Sequence, residues 1–96
     1  MKELPEYCFY RCWQLKEITI PNGITKLGNR CFERCWHISS ITIPSSVVEI
    51  GEHCFYECTN LTSIELPTTI TSFEKCCFYR SGIKQKEYSN LPKHCW

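Results

Sequence analysis

A period of 23 residues governs what this chain can fold into. Prolines stand at 21, 44 and 67, and Cys-Phe pairs at 8-9, 31-32, 54-55 and 77-78. The same step links Ile18, Ile41 and Ile64; Ile20, Ile43 and Leu66; Ile24, Val47 and Ile70; Leu27, Ile50 and Phe73. It also links Leu15, Ile38 and Leu61, and Cys12, Cys35 and Cys58. So many columns on one period leave no room for chance. They imply one structural unit stacked on itself.

Each unit can be read locally. Ile18-Thr19-Ile20, Ile41-Thr42-Ile43 and Ile64-Glu65-Leu66 alternate apolar with polar, the pattern of a short half-buried strand. The proline that follows cannot donate a ladder hydrogen bond and ends the strand. A second extended piece follows, such as Val47-Val48-Glu49-Ile50, closed by Gly51 as Gly28 closes the previous one. Glycine there suggests a corner with positive φ. The two cysteines of Cys-Phe-x-x-Cys are four apart, which predicts a short helical turn facing both inward.

A single turn of this kind cannot bury its apolar side, whereas stacked turns share one continuous core. A period between about 20 and 29 residues with a strand-like apolar segment indicates a leucine-rich-repeat solenoid. The expected fold is therefore β-rich with short helical turns, built from about four stacked 23-residue turns with irregular ends. The expectation is one domain over 1-96, with turns near 4-20, 21-43, 44-66 and 67-89 and a partial turn at 90-96. Phe9, Phe32, Phe55 and Phe78 would form the largest apolar ladder. In the fourth turn Ser81 replaces the second cysteine, and Lys84-Gln85-Lys86-Glu87 would make its last strand polar. Charges on an edge strand block further pairing, so this segment reads as a partial cap.

Within this period the sequence resembles the BspA-type leucine-rich repeat, most closely along Ile43-Pro44-Ser45-Ser46-Val47-Val48-Glu49-Ile50-Gly51-Glu52-His53-Cys54-Phe55-Tyr56-Glu57-Cys58-Thr59-Asn60-Leu61-Thr62-Ser63-Ile64. The resemblance covers roughly Leu4 to Trp96. Where that family usually has Ala-Phe, this chain has Cys-Phe at 31-32, 54-55 and 77-78. The resemblance implies a binding surface: attachment to host or matrix proteins for cell-surface members, protein-protein contacts for others. A family defined by its repeat implies no active site.

Charge narrows the partners. Eleven basic and 10 acidic side chains give a net charge of +1, and no basic block stands out. Bulk charge therefore attracts neither nucleic acid nor an anionic membrane. No apolar run reaches the roughly 18 residues of a membrane span, and the polar start Met1-Lys2-Glu3-Leu4-Pro5-Glu6 lacks a signal-peptide core. A cytoplasmic or otherwise intracellular location is expected, with the cell surface as the alternative.

The nine cysteines are an odd number, so at least one thiol is free or bonded to another molecule. Cys8, Cys12, Cys31 and Cys35 have a zinc-like spacing, but the period already accounts for it. Buried cysteine also serves as a small hydrophobe. Ladder side chains point in parallel, poor geometry for disulfides. Cys76 shares a column with Arg30 and His53, which predicts an exposed thiol. No glycine-rich phosphate loop occurs and the histidines share no column, so no enzyme and no cofactor or metal is expected. Asn60-Leu61-Thr62 is a glycosylation sequon that matters only in a secreted chain.

The expected activity is protein binding, with a homo-oligomer formed through the solenoid ends; a cell-surface adhesive or structural repeat segment is the alternative, and a zinc-stabilised domain ranks behind both. Exposed strand positions offer one contact face: Glu17 and Thr19, Ser40 and Thr42, Ser63 and Glu65. An aromatic edge offers another: Tyr10, Arg11, Trp13 and Gln14, then Arg34, Trp36 and His37, then Tyr56. These residue types are enriched at binding hot spots. Trp13 and Trp36 share a column whose third member is Thr59, so that position demands no core residue.

Overall fold

The computed structural model describes residues 2–96, so Met1 of the expected domain lies outside the described residues. Each turn contributes short parallel strands. β1 (Glu3–Leu4), β2 (Lys26–Leu27), β4 (Glu49–Ile50) and β6 (Ser72–Phe73) form a four-stranded sheet in the order β1-β2-β4-β6. β3 (Ser40–Thr42) and β5 (Ser63–Glu65) form a two-stranded sheet, joined by one bridge from Thr19 to Thr42. Every pairing is offset by one period: Leu4 opposite Leu27, Leu27 opposite Ile50, Ile50 opposite Phe73. A slip of one residue would turn the buried Leu27 and Ile50 outward, so burial holds the register. The larger sheet comes from the second extended piece of each turn, not from the Ile-x-Ile triplets. Its outer face carries a row of Glu3, Lys26 and Glu49, with Lys26 Nζ 3.2 Å from Glu49 Oε2. The hydrogen bond and charge of Glu49 hold the Lys26 ammonium above its usual pKa.

The Cys-Phe-x-x-Cys segments are linked β-turns rather than the expected helical turns. Within a turn, Cys31, Glu33 and Cys35 donate to Gly28, Arg30 and Phe32, three residues back. The alternate residues Arg30, Phe32 and Arg34 donate onward to Glu52, Cys54 and Tyr56 in the next turn. A helix would spend all these donors internally; here half of them tie turn to turn. The geometry needs left-handed backbone at two places per turn, filled by Tyr7 and Arg11, Arg30 and Arg34, His53 and Glu57, Cys76 and Arg80, all with φ between 55° and 61°. The 3-10 helices present, Gln85–Tyr88 and Lys93–Cys95, lie in the last turns.

Glycine enters for a reason other than the one expected. Gly28 and Gly51 do not have positive φ; they are sites of close approach. A Cβ on Gly51 would lie 2.7 Å from the Asn29 nitrogen and the Gly28 carbonyl carbon, and one on Gly28 would lie 2.7 Å from Leu4 O. Neighbouring turns touch backbone to backbone at this corner.

The core is a set of ladders. Phe9, Phe32, Phe55 and Phe78 stack nearly parallel, with centroids 5.2, 5.3 and 5.6 Å apart. Flanking them, Cys31, Cys35, Cys54, Cys58 and Cys77 are fully buried. All nine cysteines are unbridged. Their thiols serve as weak donors, Cys35 Sγ to Phe9 O at 3.0 Å and Cys58 Sγ to Phe32 O at 2.9 Å. Burial pushes the Cys35 thiol up to about 12, and it pushes Cys31, Cys54 and Cys58 well above the ordinary thiol range.

The C-terminal end closes differently from the polar strand expected there. Residues 85–88 form a 3-10 helix, and the Tyr88 hydroxyl accepts the Ile64 N–H at 3.2 Å, capping β5. Cys95 and Trp96 then take the Cys77 and Phe78 places after a shortened turn. Phe78 N–H donates to Cys95 O, and the Trp96 ring lies 5.5 Å from that of Phe78. At the other end, Cys8 is exposed and Phe9 only half-buried, because among the described residues no turn covers them.

Two outcomes follow from this packing. Gly51→Ala forces the stacked backbones apart and should cost about 1–3 kcal/mol or more, lowering the melting temperature by about 4–8 °C per kcal/mol. Arg80→Gly relieves a left-handed residue and should cost little; thermal melts of both variants check the contrast. The buried thiols also set a pH limit. In the unfolded chain they ionise near about 8.5, whereas the folded chain keeps Cys35 protonated to about 12. Their stabilisation is complete below the lower value and is lost as pH rises between the two. Melts in reductant from pH 7 to 11 should fall steeply above about pH 9, and Cys35→Ala with Cys58→Ala should flatten the slope.

Candidate functional site

Once the ladders are filled inward, the outward positions of each turn form the surfaces available for recognition. On the strand side, Glu17, Thr19, Ser40, Thr42, Ser63 and Glu65 are all exposed. The parallel pairing sets Ser40 beside Ser63 and Thr42 beside Glu65, with Thr42 Oγ1 donating to Glu65 Oε2 at 3.5 Å. The first and second turns meet at a single bridge, and a shallow hollow opens there between Glu17, Thr19, Ser40 and Thr42, floored by Ile18, Ile20 and Ile41. Ser63 and Glu65 lie further along the same face, beyond the hollow.

The aromatic edge is the more structured of the two surfaces. Trp13 and Trp36 stack face to face, with centroids 5.0 Å apart and planes 4° apart. They stay 46% and 36% exposed, so the pair is a surface feature rather than core. They stack for the same reason the phenylalanines do: identical positions in consecutive turns sit one turn-height apart. Beside them, the Arg11 guanidinium lies over the Tyr10 ring at 5.3 Å, and Arg34 Nη2 reaches Glu57 Oε1 at 3.5 Å. Tyr10, Arg11 and His37 are exposed and Arg34 is half-buried. The outer Trp13 face borders a small apolar hollow with Arg11, Cys12, Gln14 and Leu15.

The structure extends this edge past the expected Tyr56 to Tyr79 and Arg80. Tyr56 and Tyr79 stack at 5.8 Å, and Arg80 lies over the Tyr79 ring at 5.6 Å. A hydrogen bond to Glu57 holds the Tyr56 phenol above its usual pKa. Tyr10, Tyr56 and Tyr79 share one column of the 23-residue period, so the signal was present; Glu33 interrupts it. Glu33 is buried and pairs with Arg30, which folds that carboxylate back into the protein.

Cys76, the expected exposed thiol, is half-buried, and Cys8 is the exposed one. The Cys76 N–H donates to His94 O, so the shortened last turn shelters that position. Among the described residues, no group of three or more His, Cys, Asp or Glu is arranged to hold a metal ion. No helix there is long and apolar enough to cross a membrane.

Comparison with known proteins rests on this repeat. A model of the BspA type leucine rich repeat region matches residues 1–94 in six copies. A leucine-rich repeat protein from Bacteroides ovatus ATCC 8483 superposes with a TM-score of 0.80 at 32% identity, over 82% of this chain and 21% of its own. A leucine rich cell surface protein from Faecalibacterium prausnitzii A2-165 shares the fold, with a TM-score of 0.62 at 22% identity over 86% of this chain and 29% of its own. The chain thus spans less than a third of either protein. No curated protein matches. The 23-residue parallel register, the phenylalanine and cysteine ladders and the six matched copies together make this chain a member of the BspA-type leucine-rich repeat family.

Proposed function

We propose that this chain is a non-catalytic protein-binding module, and that its aromatic edge carries the contact. The observation behind this reading is the stacked Trp13–Trp36 pair, which spends two of the chain's three tryptophans on the surface. An indole left at the surface contributes little to the core but a great deal to a desolvated interface. Flanking Tyr10, Arg11, Arg34 and His37 supply polar contacts, and the strand face from Glu17 to Glu65 forms a secondary, mildly acidic surface. The groups that could do chemistry are dispersed in separate columns or buried as protonated thiols, which is why catalysis forms no part of the reading.

Self-association would use the N-terminal face of the first described turn. Tyr88, Cys95 and Trp96 occupy the C-terminal end, so head-to-tail stacking is blocked there. At the N-terminal end, the Glu6, Cys8 and Tyr10 carbonyls accept no backbone hydrogen bond among the described residues. Two such ends meeting face to face would close as a two-fold dimer. The like acceptors would oppose one another, so the dimer is weak. The second reading is a cell-surface adhesive or structural segment; a leucine rich cell surface protein with the same fold favours it. Its thiols would be oxidised, unlike those of an intracellular chain.

The primary test compares wild type with Trp13→Ser/Trp36→Ser as bait for extracellular and intracellular extracts. A protein retained by wild type and lost by the variant, at a nearly unchanged melting temperature, supports the aromatic edge; equal capture sinks it. Light scattering on the same samples should find monomer and dimer, and longer assemblies would contradict the closed C-terminal end. A thiol count on denatured, unreduced protein from its native source separates the two locations: nine free thiols would exclude the oxidised surface form.

A further inference from the structure

The first cysteine column is larger than packing alone requires. Cys8, Cys31, Cys54, Cys77 and Cys95 follow one another through the stack, one per turn. Any small apolar side chain would fill these places. Sulfur at every level puts thiol next to thiol. Cys8 and Cys31 hold the same place in consecutive turns, tied together where the Phe9 N–H donates to Cys31 O at 2.8 Å, and Cys77 and Cys95 are joined in the same way by the Phe78 N–H on Cys95 O at 2.9 Å.

Geometry decides what such a pair can bind. Without three converging ligands among the described residues, an ion that needs four has no site. Two thiols remain, one turn apart. The turn height is visible in the phenylalanine ladder, whose centroids repeat at 5.2 and 5.3 Å. A cation midway between two sulfurs, each about 2.3 Å away, spans about 4.6 Å, close to that turn height. Side chains leaving consecutive turns in parallel place such an ion at roughly a right angle to both Cβ–Sγ bonds, a favourable direction for thiolate ligands. The same parallel arrangement disfavours a disulfide, which needs a Cβ–S–S–Cβ dihedral near about ±90°.

We propose that Cys8 and Cys31 form a two-coordinate thiolate site for a soft monovalent cation, copper(I). Soft thiolate ligands select this ion. Two neutral thiols and one copper(I) give one bis-thiolate complex of charge −1 and two released protons; no electron moves. Cys8 is exposed and provides the entry, while Cys31 is fully buried and shields the far side from water. Cys54, deeper in the column, has no comparable access. The excess negative charge lies towards Cys8, where water solvates it.

The test uses the reduced full chain without oxygen, at concentrations where light scattering reports monomer. Copper(I) is supplied from a chromophoric chelator. Wild type and Cys12→Ser should withdraw the same number of equivalents, and Cys8→Ser one fewer. Chain alkylated at Cys8 alone should match Cys8→Ser, which guards against a folding effect of the substitution. X-ray absorption on the equivalent that Cys8 controls should show two sulfur neighbours. Equal uptake by wild type and Cys8→Ser, or a shell of three or more sulfurs, would overturn the proposal.

Discussion

The rest of this structure depends on the contact of one turn with the next at a height of about 5 Å, the spacing of paired strands. Two-residue strands have no stability alone. They persist because each backbone group left over within a turn finds its partner in the neighbouring turn, as Phe32 N–H does on Cys54 O and Phe55 N–H on Cys77 O. That requirement accounts for the left-handed residues at the corners. Each costs of order 1 kcal/mol or more, and each turns a donor outward to the next level. It also accounts for Gly28 and Gly51, where any side chain would hold the turns apart.

Stacking converts a sequence column into a physical ladder, and the character of a ladder depends on which way it points. Inward, the phenylalanines bury their faces against one another and the cysteines fill the narrow space beside them. Outward, the same repetition places Trp13 over Trp36 and Tyr56 over Tyr79, making an aromatic surface that no single turn could present. Recognition and stability thus come from one operation applied to different columns. Partners contacting the edge meet several equivalent positions at once.

The ends follow a different logic. Each ladder must stop somewhere, and a stopped ladder shows unpaired carbonyls and half-covered rings. At the C-terminal end, a shortened turn brings Cys95 and Trp96 into place, and a tyrosine hydroxyl stands in for a missing strand. Trp96 suits this role because its large ring covers Phe78 from above while remaining half-buried itself. At the first turn, Cys8 keeps the exposure that its equivalents Cys31, Cys54 and Cys77 have lost.

The sequence alone determined the period, the parallel register, the members of each ladder and the outward strand positions, because burial at intervals of 23 residues leaves a direct mark on residue type. It also marked Trp13 and Trp36 as a column free of core duty. Only the tertiary structure decided how the turns join. Cysteines four apart suit a helix as well as a pair of β-turns, and the alternation of donors between turns has no compositional signature. Close approach and positive φ both call for glycine, so Gly28 and Gly51 could not be assigned a reason until the neighbouring backbone was in place. Exposure at the ends depends on which turn has a neighbour, which is why Cys8 rather than Cys76 is the open thiol. The last strand became a 3-10 helix because Tyr88 could cap Ile64 from there, a contact 24 residues apart that no local pattern records.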